Sequence, residues 1–264
     1  MLDGHSKTLA EGSRPFVERL GDACDFVSSE LLRLRPGTAC AVVDGPFLPA
    51  DDGAKVRQVE RLFQSGPFAA TPLSKIKLRI NPASTSATSK FLVSTRSVLT
   101  ALDASGLHPP GTPERGVLGP ALEIFPTLFM ASMLEPHAYE GKRREHTDAL
   151  WRRWVQQHLL HADSPLHPFS ALIARADAAP PTQRHDMRMA VVCAIAACWH
   201  LERGATTASG CPAEFIGNAK EHGFLLPPAD LWNASFRAMT VSHWEKSAPL
   251  GLEWCSAHDA PRLA

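Results

Sequence analysis

Apolar residues follow two different spacings along this chain, one typical of helices and one typical of buried strands. Between residues 14 and 34 apolar side chains recur every three or four positions, which predicts an amphipathic helix. Residues 38–43 (TACAVV) are nearly all apolar and lead into the turn sequence Asp44-Gly45-Pro46, a pattern typical of a buried parallel strand. A second helix is expected over residues 53–63. This strand, turn and helix predict an α/β protein.

Later segments continue the same alternation. The most regular helix is expected to begin at Asp186 and to end near Arg203, with small residues along one face. Trp151 and Trp154 have the spacing of core residues on a further helix, although a base-stacking role stays open. The other predicted helices cover residues 91–102, 127–134 and 148–160, and the other predicted strands cover residues 121–125 and 223–227. A loop is expected over residues 213–217 and an irregular segment over residues 66–89. The tail from about residue 228 is expected to be irregular and polar. We therefore expect one α/β domain over residues 1–264.

Composition limits the kinds of partner that the chain can have. Lys plus Arg and Asp plus Glu both number 27 among 264 residues, so any contact with nucleic acid must depend on a local basic patch. The six cysteines show no metal-binding spacing, which indicates free thiols. The start of the chain does not have the pattern of a secretion signal, and no apolar run reaches the roughly 20 residues of a membrane helix. The expected location is the cytoplasm, away from the membrane.

Several common catalytic motifs are missing from the sequence. It contains no P-loop, no dinucleotide-binding glycine pattern, no nucleophile elbow and no His-Glu-x-x-His zinc motif. Carboxylates are then the main candidates for chemistry, and three of them occur at the ends of predicted elements: Asp44, Glu123 and Asp186. Each has a structural alternative, namely turn formation for Asp44, solvent exposure on an edge strand for Glu123 and helix capping for Asp186.

Three segments resemble motifs of the predicted nuclease family known as domain of unknown function 429. Residues 41–47 (AVVDGPF) are similar to its strand with two aliphatic residues followed by Asp-Ala-Pro-Leu. Residues 122–126 (LEIFP) resemble its Glu-Val-Tyr-Pro element, and residues 185–197 (HDMRMAVVCAIAA) resemble its helix that begins His-Asp-Ala. Glu214 and residues 223–227 also have counterparts near the end of that family. Order and spacing agree from about residue 14 to residue 228.

This resemblance implies a ribonuclease H-like fold, which is a mixed five-stranded sheet flanked by helices with carboxylates at its centre. It implies that Asp44, Glu123 and Asp186 are catalytic ligands of Mg²⁺ or Mn²⁺, because clustered carboxylates need cations and hard oxygen ligands suit these ions. In such sites two ions activate water and stabilise the leaving oxygen, here in phosphodiester hydrolysis of nucleic acid. His185 would assist proton transfer, or would only cap the helix.

Basic residues supply the expected contacts with substrate. Arg57 matches an arginine-containing segment of the family and could orient a phosphate, although a surface salt bridge with Glu60 explains it equally well. The run that contains Lys142 and Arg143, and the alternating residues 75–79 (KIKLR), are the best basic patches for a nucleic-acid backbone. Solvated surface is the alternative for both patches.

One departure from the family leaves the activity open. The ribonuclease H-like fold normally begins with a three-stranded meander that carries a catalytic Asp, and about 13 residues before the first predicted helix are too few for three strands. The first function hypothesis is a metal-dependent nuclease. The second is a catalytically inactive ribonuclease H-like binding or scaffolding protein. A related phosphotransferase is a third, but the glycine-rich phosphate turns that it requires are missing. The sequence does not predict the oligomeric state.

Overall fold

The structure is a computed structural model, and nine ranges of the chain are described in it. These are residues 40–45, 57–75, 87–108, 119–141, 144–159, 163–203, 215–218, 222–247 and 253–255. The helix predicted over residues 14–34 lies outside the described residues, as do Lys142, Arg143 and most of the basic segment 75–79.

The described residues form six strands and seven α-helices. The strands are β1 (Ala41–Asp44), β2 (Leu107–His108), β3 (Gly119–Ile124), β4 (Phe215–Asn218), β5 (His222–Leu225) and β6 (Glu253–Cys255). The helices are α1 (Gln58–Gln64), α2 (Ala87–Ala104), α3 (Pro126–Met133), α4 (Arg144–Leu159), α5 (Ser170–Asp177), α6 (Pro181–Arg203) and α7 (Ala234–Ser247). Short 3₁₀ turns are Gly66–Ala70, Pro72–Lys75, Pro136–Ala138, His167–Phe169 and Ala229–Leu231.

The strands make one mixed, open sheet in the order β1-β3-β5-β4-β6, and β2 pairs with β3. β3 is parallel to β1, β2 and β5, whereas β4 is antiparallel to both β5 and β6. Helices flank this sheet, so the α/β class with a mixed sheet is confirmed. In the β1 and β3 pair, Val43 lies opposite Glu123 and Asp44 lies opposite Ile124.

The two faces of the β1 and β3 pair belong to different parts of the core. Successive residues of a strand point to opposite faces, and partners in a parallel pair point to the same face. Leu122 and Ile124 belong to the main core, and β1 packs against α6. Ala121 belongs to a second, smaller cluster that includes Leu102 of α2, with Val43 packed against it. The register therefore assigns each residue of β1 and β3 to one face.

The tryptophans of α4 are core residues, as their spacing predicts. Trp151 and Trp154 are fully buried. The indole N–H of Trp151 donates to Asp177 at 3.0 Å, and that of Trp154 donates to the Met133 sulfur at 3.2 Å. Buried indole nitrogens normally find such partners. Neither ring is available for stacking on a base.

The prediction of an irregular tail from about residue 228 is wrong. Helix α7 occupies Ala234–Ser247, and β6 pairs with β4 beyond it. Asn233 caps the start of this helix, because its Oδ1 accepts the Ser235 backbone N–H at 2.8 Å. Phe236 is fully buried and stacks on Phe63, with 6.2 Å between ring centroids. The C-terminal part of the chain thus contributes both to the core and to the sheet.

Two other boundaries differ from the sequence predictions. Helix α6 begins at Pro181 rather than Asp186, because proline is well suited to the first position of a helix, where its missing N–H is not needed. The predicted loop over residues 213–217 contains β4, which pairs with β5 from Phe215 to Asn218. Asp186 therefore lies inside α6 and does not cap it. Among the described residues, no helix has the length and apolar character needed to cross a membrane.

The hairpin of β4 and β5 depends on a close approach at Gly223. A Cβ atom at this position would lie 2.0 Å from the Ile216 carbonyl oxygen and 2.4 Å from the Gly217 Cα. These neighbours are backbone atoms, so they cannot move aside without distorting the strand pair. Gly223→Ala should lower the free energy of unfolding by about 1–3 kcal/mol, as measured by urea denaturation. An unchanged denaturation midpoint would contradict this close approach.

Candidate functional site

The candidate site lies at the carboxyl ends of two neighbouring parallel strands. Asp44 is the last residue of β1, and Glu123 is the last but one of β3. Helix α6 crosses β1 in the opposite direction, because Cys193 interacts with Asp44 while Cys198 interacts with Cys40 at the other end of the strand. The N-terminal half of α6, which carries Asp186, therefore extends towards the same end of the sheet. Binding sites in open α/β sheets occur at this edge.

The three predicted carboxylates influence one another electrostatically. Burial, together with the negative charges of Glu123 and Asp186, raises the pKa of the Asp44 carboxyl from 3.8 to about 7, and burial is the largest of these causes. Asp44 nevertheless keeps part of its surface exposed to solvent. A raised carboxyl pKa at a strand end is a feature of functional sites, although structural ion pairs also produce it. Three acids distant in sequence are thus close enough for their charges to interact.

Asp44 and Glu123 project from opposite faces of the sheet. The register puts Asp44 on the same face as Ile124, which is the face covered by α6. Glu123 shares the other face with Val43 and Ala121. The structure therefore brings Asp44 and Asp186 to one side of the sheet and Glu123 to the other.

Glu123 is held by Arg57, which directly precedes α1. Arg57 Nη1 donates to Glu123 Oε2 at 2.8 Å, and Nη2 donates to Oε1 at 2.6 Å. Arg57 Nε donates to Glu60 Oε1 at 3.0 Å, and the guanidinium carbon lies 5.2 Å from the ring centroid of Phe224. Burial alone would lower the pKa of Arg57, but Glu123 and Glu60 outweigh it and raise that pKa. We call Arg57, Glu60 and Glu123 the buried triad.

The burial of this triad changes the interpretation of Arg57. Arg57 and Glu123 are each 1% exposed, and Glu60 is fully buried. The ion pair between Arg57 and Glu60, predicted as a surface salt bridge, exists but is buried. The Arg57 guanidinium, predicted to contact substrate, faces Glu123 and Glu60 instead of solvent. Such a bidentate, charge-assisted pair fixes both side chains.

Asp186 and His185 lie on the second turn of α6, on its accessible side. The Asp186 side chain is 60% exposed, and its Oδ1 lies 3.6 Å from Arg144 Nη2. His185 is half-buried, and its Nδ1 lies 3.3 Å from Asp148 Oδ1. Since α6 begins at Pro181, His185 does not cap the helix. Arg144 directly follows the predicted substrate-binding residues Lys142 and Arg143, which lie outside the described residues.

A polar network that the sequence did not reveal holds the N-terminal half of α6. Arg188 is nearly buried and donates from Nη1 to Asp148 at 3.0 Å and from Nε to Asp177 at 2.8 Å. Asp177 also accepts the Trp151 indole N–H. These contacts tie α6 to α4 and α5. The sequence signal for this network is an arginine at helical spacing from the apolar residues Val192, Ile195 and Trp199.

The raised pKa of Asp44 predicts a specific pH dependence. The folded state keeps the proton up to about pH 7, whereas the unfolded state releases it near pH 3.8, so stability should fall as pH rises between these values. Asp44→Asn removes this charge and should be more stable than the wild type at pH 8, by about 2 kcal/mol. Urea denaturation in EDTA from pH 4 to 8 tests this. A difference between the two proteins that did not grow with pH would contradict the assignment.

The donor atoms at this site suit a hard divalent ion only in part. Within the described ranges, no group of three or more His, Cys, Asp or Glu side chains is arranged to hold a metal ion. Asp44 and Asp186 offer carboxylate oxygens on one side of the sheet, and both are accessible to solvent. Mg²⁺ commonly binds through one or two carboxylates, with water and substrate phosphate as its other ligands. Asp44 and Asp186 therefore offer oxygen donors of the type that such an ion uses, whereas no cage of three carboxylates is formed by the described residues.

Comparison of the chain with protein-family models, with curated proteins and with solved structures finds no match. The function must therefore be inferred from the residues and their geometry.

Proposed function

We propose that this protein is a divalent-metal-dependent nuclease with a ribonuclease H-like sheet, which hydrolyses phosphodiester bonds in nucleic acid. One observation carries the proposal. The Asp44 carboxyl stands at the end of a parallel strand, within electrostatic range of Glu123 and Asp186, and burial and these like charges together raise its pKa. A cation at this position would relieve that repulsion.

The arrangement of the sheet supports the ribonuclease H-like part of the proposal. The sheet has strands of mixed direction, as the sequence resemblance implies, although the described residues supply six strands, because β2 also pairs with β3. Strands β5, β4 and β6 alternate in direction and occupy the side of the sheet away from β1. They come from the C-terminal part of the chain, whereas the family's three-stranded meander comes first. A three-stranded unit therefore accompanies β1 and β3 although its position in the chain differs.

The proposed ion would be Mg²⁺ or Mn²⁺, with Asp44 and Asp186 as ligands. When bound, such an ion activates water and stabilises the leaving oxygen of the phosphodiester. Asp44 is fixed by its place in the sheet, and Asp186 extends from α6 into solvent. The half-buried His185 next to Asp186 is oriented by Asp148 and is the proposed proton-transfer residue.

Nucleic acid is the proposed substrate because the basic residue Arg144 lies beside Asp186. Arg144 is 52% exposed and is in contact range of Asp186. In sequence it continues the run that begins at Lys142 and Arg143. Lys and Arg side chains near a catalytic centre neutralise backbone phosphates and increase affinity at low salt. The backbone of the substrate would then approach from the α4 side of Asp186.

Cleavage of labelled single-stranded and double-stranded DNA and RNA with Mn²⁺ tests this function. The wild type should cleave at least one of these substrates, and EDTA should abolish the cleavage. The double variant Asp44→Asn and Asp186→Asn should lose it while keeping a cooperative unfolding transition. Equal cleavage by wild type and double variant would identify a contaminating nuclease and overturn the proposal.

One observation favours a second function, that of a non-catalytic nucleic-acid-binding or scaffolding protein. Arg57 neutralises Glu123 and keeps it away from solvent, which removes one of the three acids from the accessible site. Binding of the same nucleic acids without cleavage, in the presence of Mn²⁺, would select this alternative.

A further inference from the structure

We propose that Glu123 is not a metal ligand and that Arg57 serves as the permanent cation of Glu123, so that the site binds a single divalent ion through Asp44 and Asp186. This inference rests on the proposed function and specifies it. The resemblance of the sequence implies three carboxylate ligands and two ions. The structure differs from this expectation, because fewer than three of these carboxylates are accessible to an ion.

The hydrogen bonds of Glu123 are the first reason. Both of its carboxylate oxygens accept from Arg57, at 2.8 and 2.6 Å. The two parallel bonds form the bidentate geometry that is the strongest pairing of an arginine with a carboxylate. An ion that bound Glu123 would have to take over these oxygens. Arg57 would then lose the partner to which two of its nitrogens donate.

Burial is the second reason. Neither Arg57 nor Glu123 exposes more than 1% of its surface, and the Arg57 guanidinium also contacts Glu60 and the Phe224 ring. A displaced guanidinium would lose one of its two buried counterions while it stayed in the protein interior, or would have to break through the surrounding core. Either change is strongly unfavourable.

The register of the sheet is the third reason. Asp44 and Glu123 are on adjacent strands but point to opposite faces, because Asp44 pairs with Ile124 and Glu123 pairs with Val43. A single Mg²⁺ needs its ligand oxygens at about 2.0–2.1 Å. Two side chains on opposite faces of a sheet do not meet around one ion at that distance. Asp186 lies on the Asp44 side because α6 packs on that face.

The balance of charge completes the inference. One divalent ion matches the two negative charges of Asp44 and Asp186, whereas both oxygens of Glu123 already accept hydrogen bonds from Arg57. In the part of the chain that the structure describes, no group of three or more His, Cys, Asp or Glu side chains is arranged to hold a second divalent ion beside the first. The buried triad then has a positioning role, since it links the start of α1 to β3.

Replacement of the whole triad separates this role from metal binding. In the variant with Arg57→Met, Glu60→Leu and Glu123→Leu, all three charges are exchanged for apolar side chains, a change that buried ion networks often tolerate. Glu123→Gln is the second variant, because it keeps the shape of the side chain. Asp44→Asn is the matched variant on the other face. Thermal unfolding in EDTA shows which proteins are folded, and the electron paramagnetic resonance signal of free Mn²⁺ gives the number of ions bound.

We expect one Mn²⁺ per wild-type chain. The folded triad variant and Glu123→Gln should bind it with a Kd within about threefold of the wild type, whereas Asp44→Asn should weaken binding by at least about tenfold. Binding of two ions, or loss of the ion in a folded Glu123 variant, would overturn the inference while Mn²⁺-dependent cleavage by the wild type kept the proposed function. A wild type that neither binds Mn²⁺ nor cleaves would overturn both.

Discussion

Replacing Arg57 by methionine should lower the free energy of unfolding by about 3–5 kcal/mol. The substitution leaves Glu60 and Glu123 buried without the guanidinium that donates to both. Two like charges in the interior then repel each other, and at least one of them must take up a proton. Urea denaturation at pH 8 in EDTA measures the loss, and the loss should be smaller at pH 5.

The control for this prediction is Arg144→Met, which removes an arginine that also faces a carboxylate. The pair of Arg144 and Asp186 is more than half exposed on both sides and is 3.6 Å long. Exposed pairs contribute little, so the change should stay within about 0.5 kcal/mol. Similar losses of stability in the two variants would mean that the buried ion pairs of Arg57 contribute no more to stability than the exposed pair of Arg144.

Phe236→Ala should be nearly as destabilising, with an expected loss of about 3–5 kcal/mol. Phe236 is fully buried and contacts three aromatic rings, those of Phe63, Phe68 and Trp232. Removing its ring leaves a cavity between α7 and α1 that a well-packed core fills only in part. Equilibrium denaturation followed by circular dichroism measures this change.

Arg237→Ala, one residue further along the same helix, is the matched variant. Arg237 is exposed, so its removal should change stability by no more than about 0.5 kcal/mol. A loss below about 1 kcal/mol for Phe236→Ala would show that α7 unfolds separately from the core.

Elements with a clear apolar period could be predicted from the sequence. Helix α4 has its buried residues at Thr147, Leu150, Trp151 and Trp154, which is the spacing of one helical face. Strands β1 and β3 appear as short apolar runs closed by turn residues, as buried parallel strands do. In α4 and β3 local pattern and tertiary burial agree and the sequence predictions are confirmed, whereas the residues of β1 form the predicted strand but are only half-buried.

Helix α7 could not be predicted in this way, because its buried face is largely polar. Among its described side chains Phe236, Thr240 and His243 are buried, and only the first of these is apolar, while Met239 and Trp244 are partly buried against the core. The Thr240 hydroxyl donates to the Phe236 carbonyl at 2.9 Å, and His243 Nε2 lies 3.0 Å from Ser65 Oγ. Since these polar groups find partners, they can be buried without an apolar stripe.

The candidate site was predictable as a set of residues but not as an arrangement. Asp44 and Glu123 could be selected because each follows or ends an apolar strand. Their faces depend on a register offset of one residue between β1 and β3, which sequence periodicity does not define. The partner of Glu123 is 66 residues away, and no local pattern connects the two. The ribonuclease H-like assignment and the metal-dependent activity stay predictions.

The network around Arg188 affects how the molecule would meet a ligand. By joining α4, α5 and α6, it fixes the backbone that carries Asp186 before anything binds. Only the side-chain torsions of Asp186 and Arg144 are left to adjust. The conformational entropy lost when a ligand binds is then confined to a few rotatable bonds of these side chains. Because the backbone is already ordered, binding is expected to be rapid and to need no slow refolding.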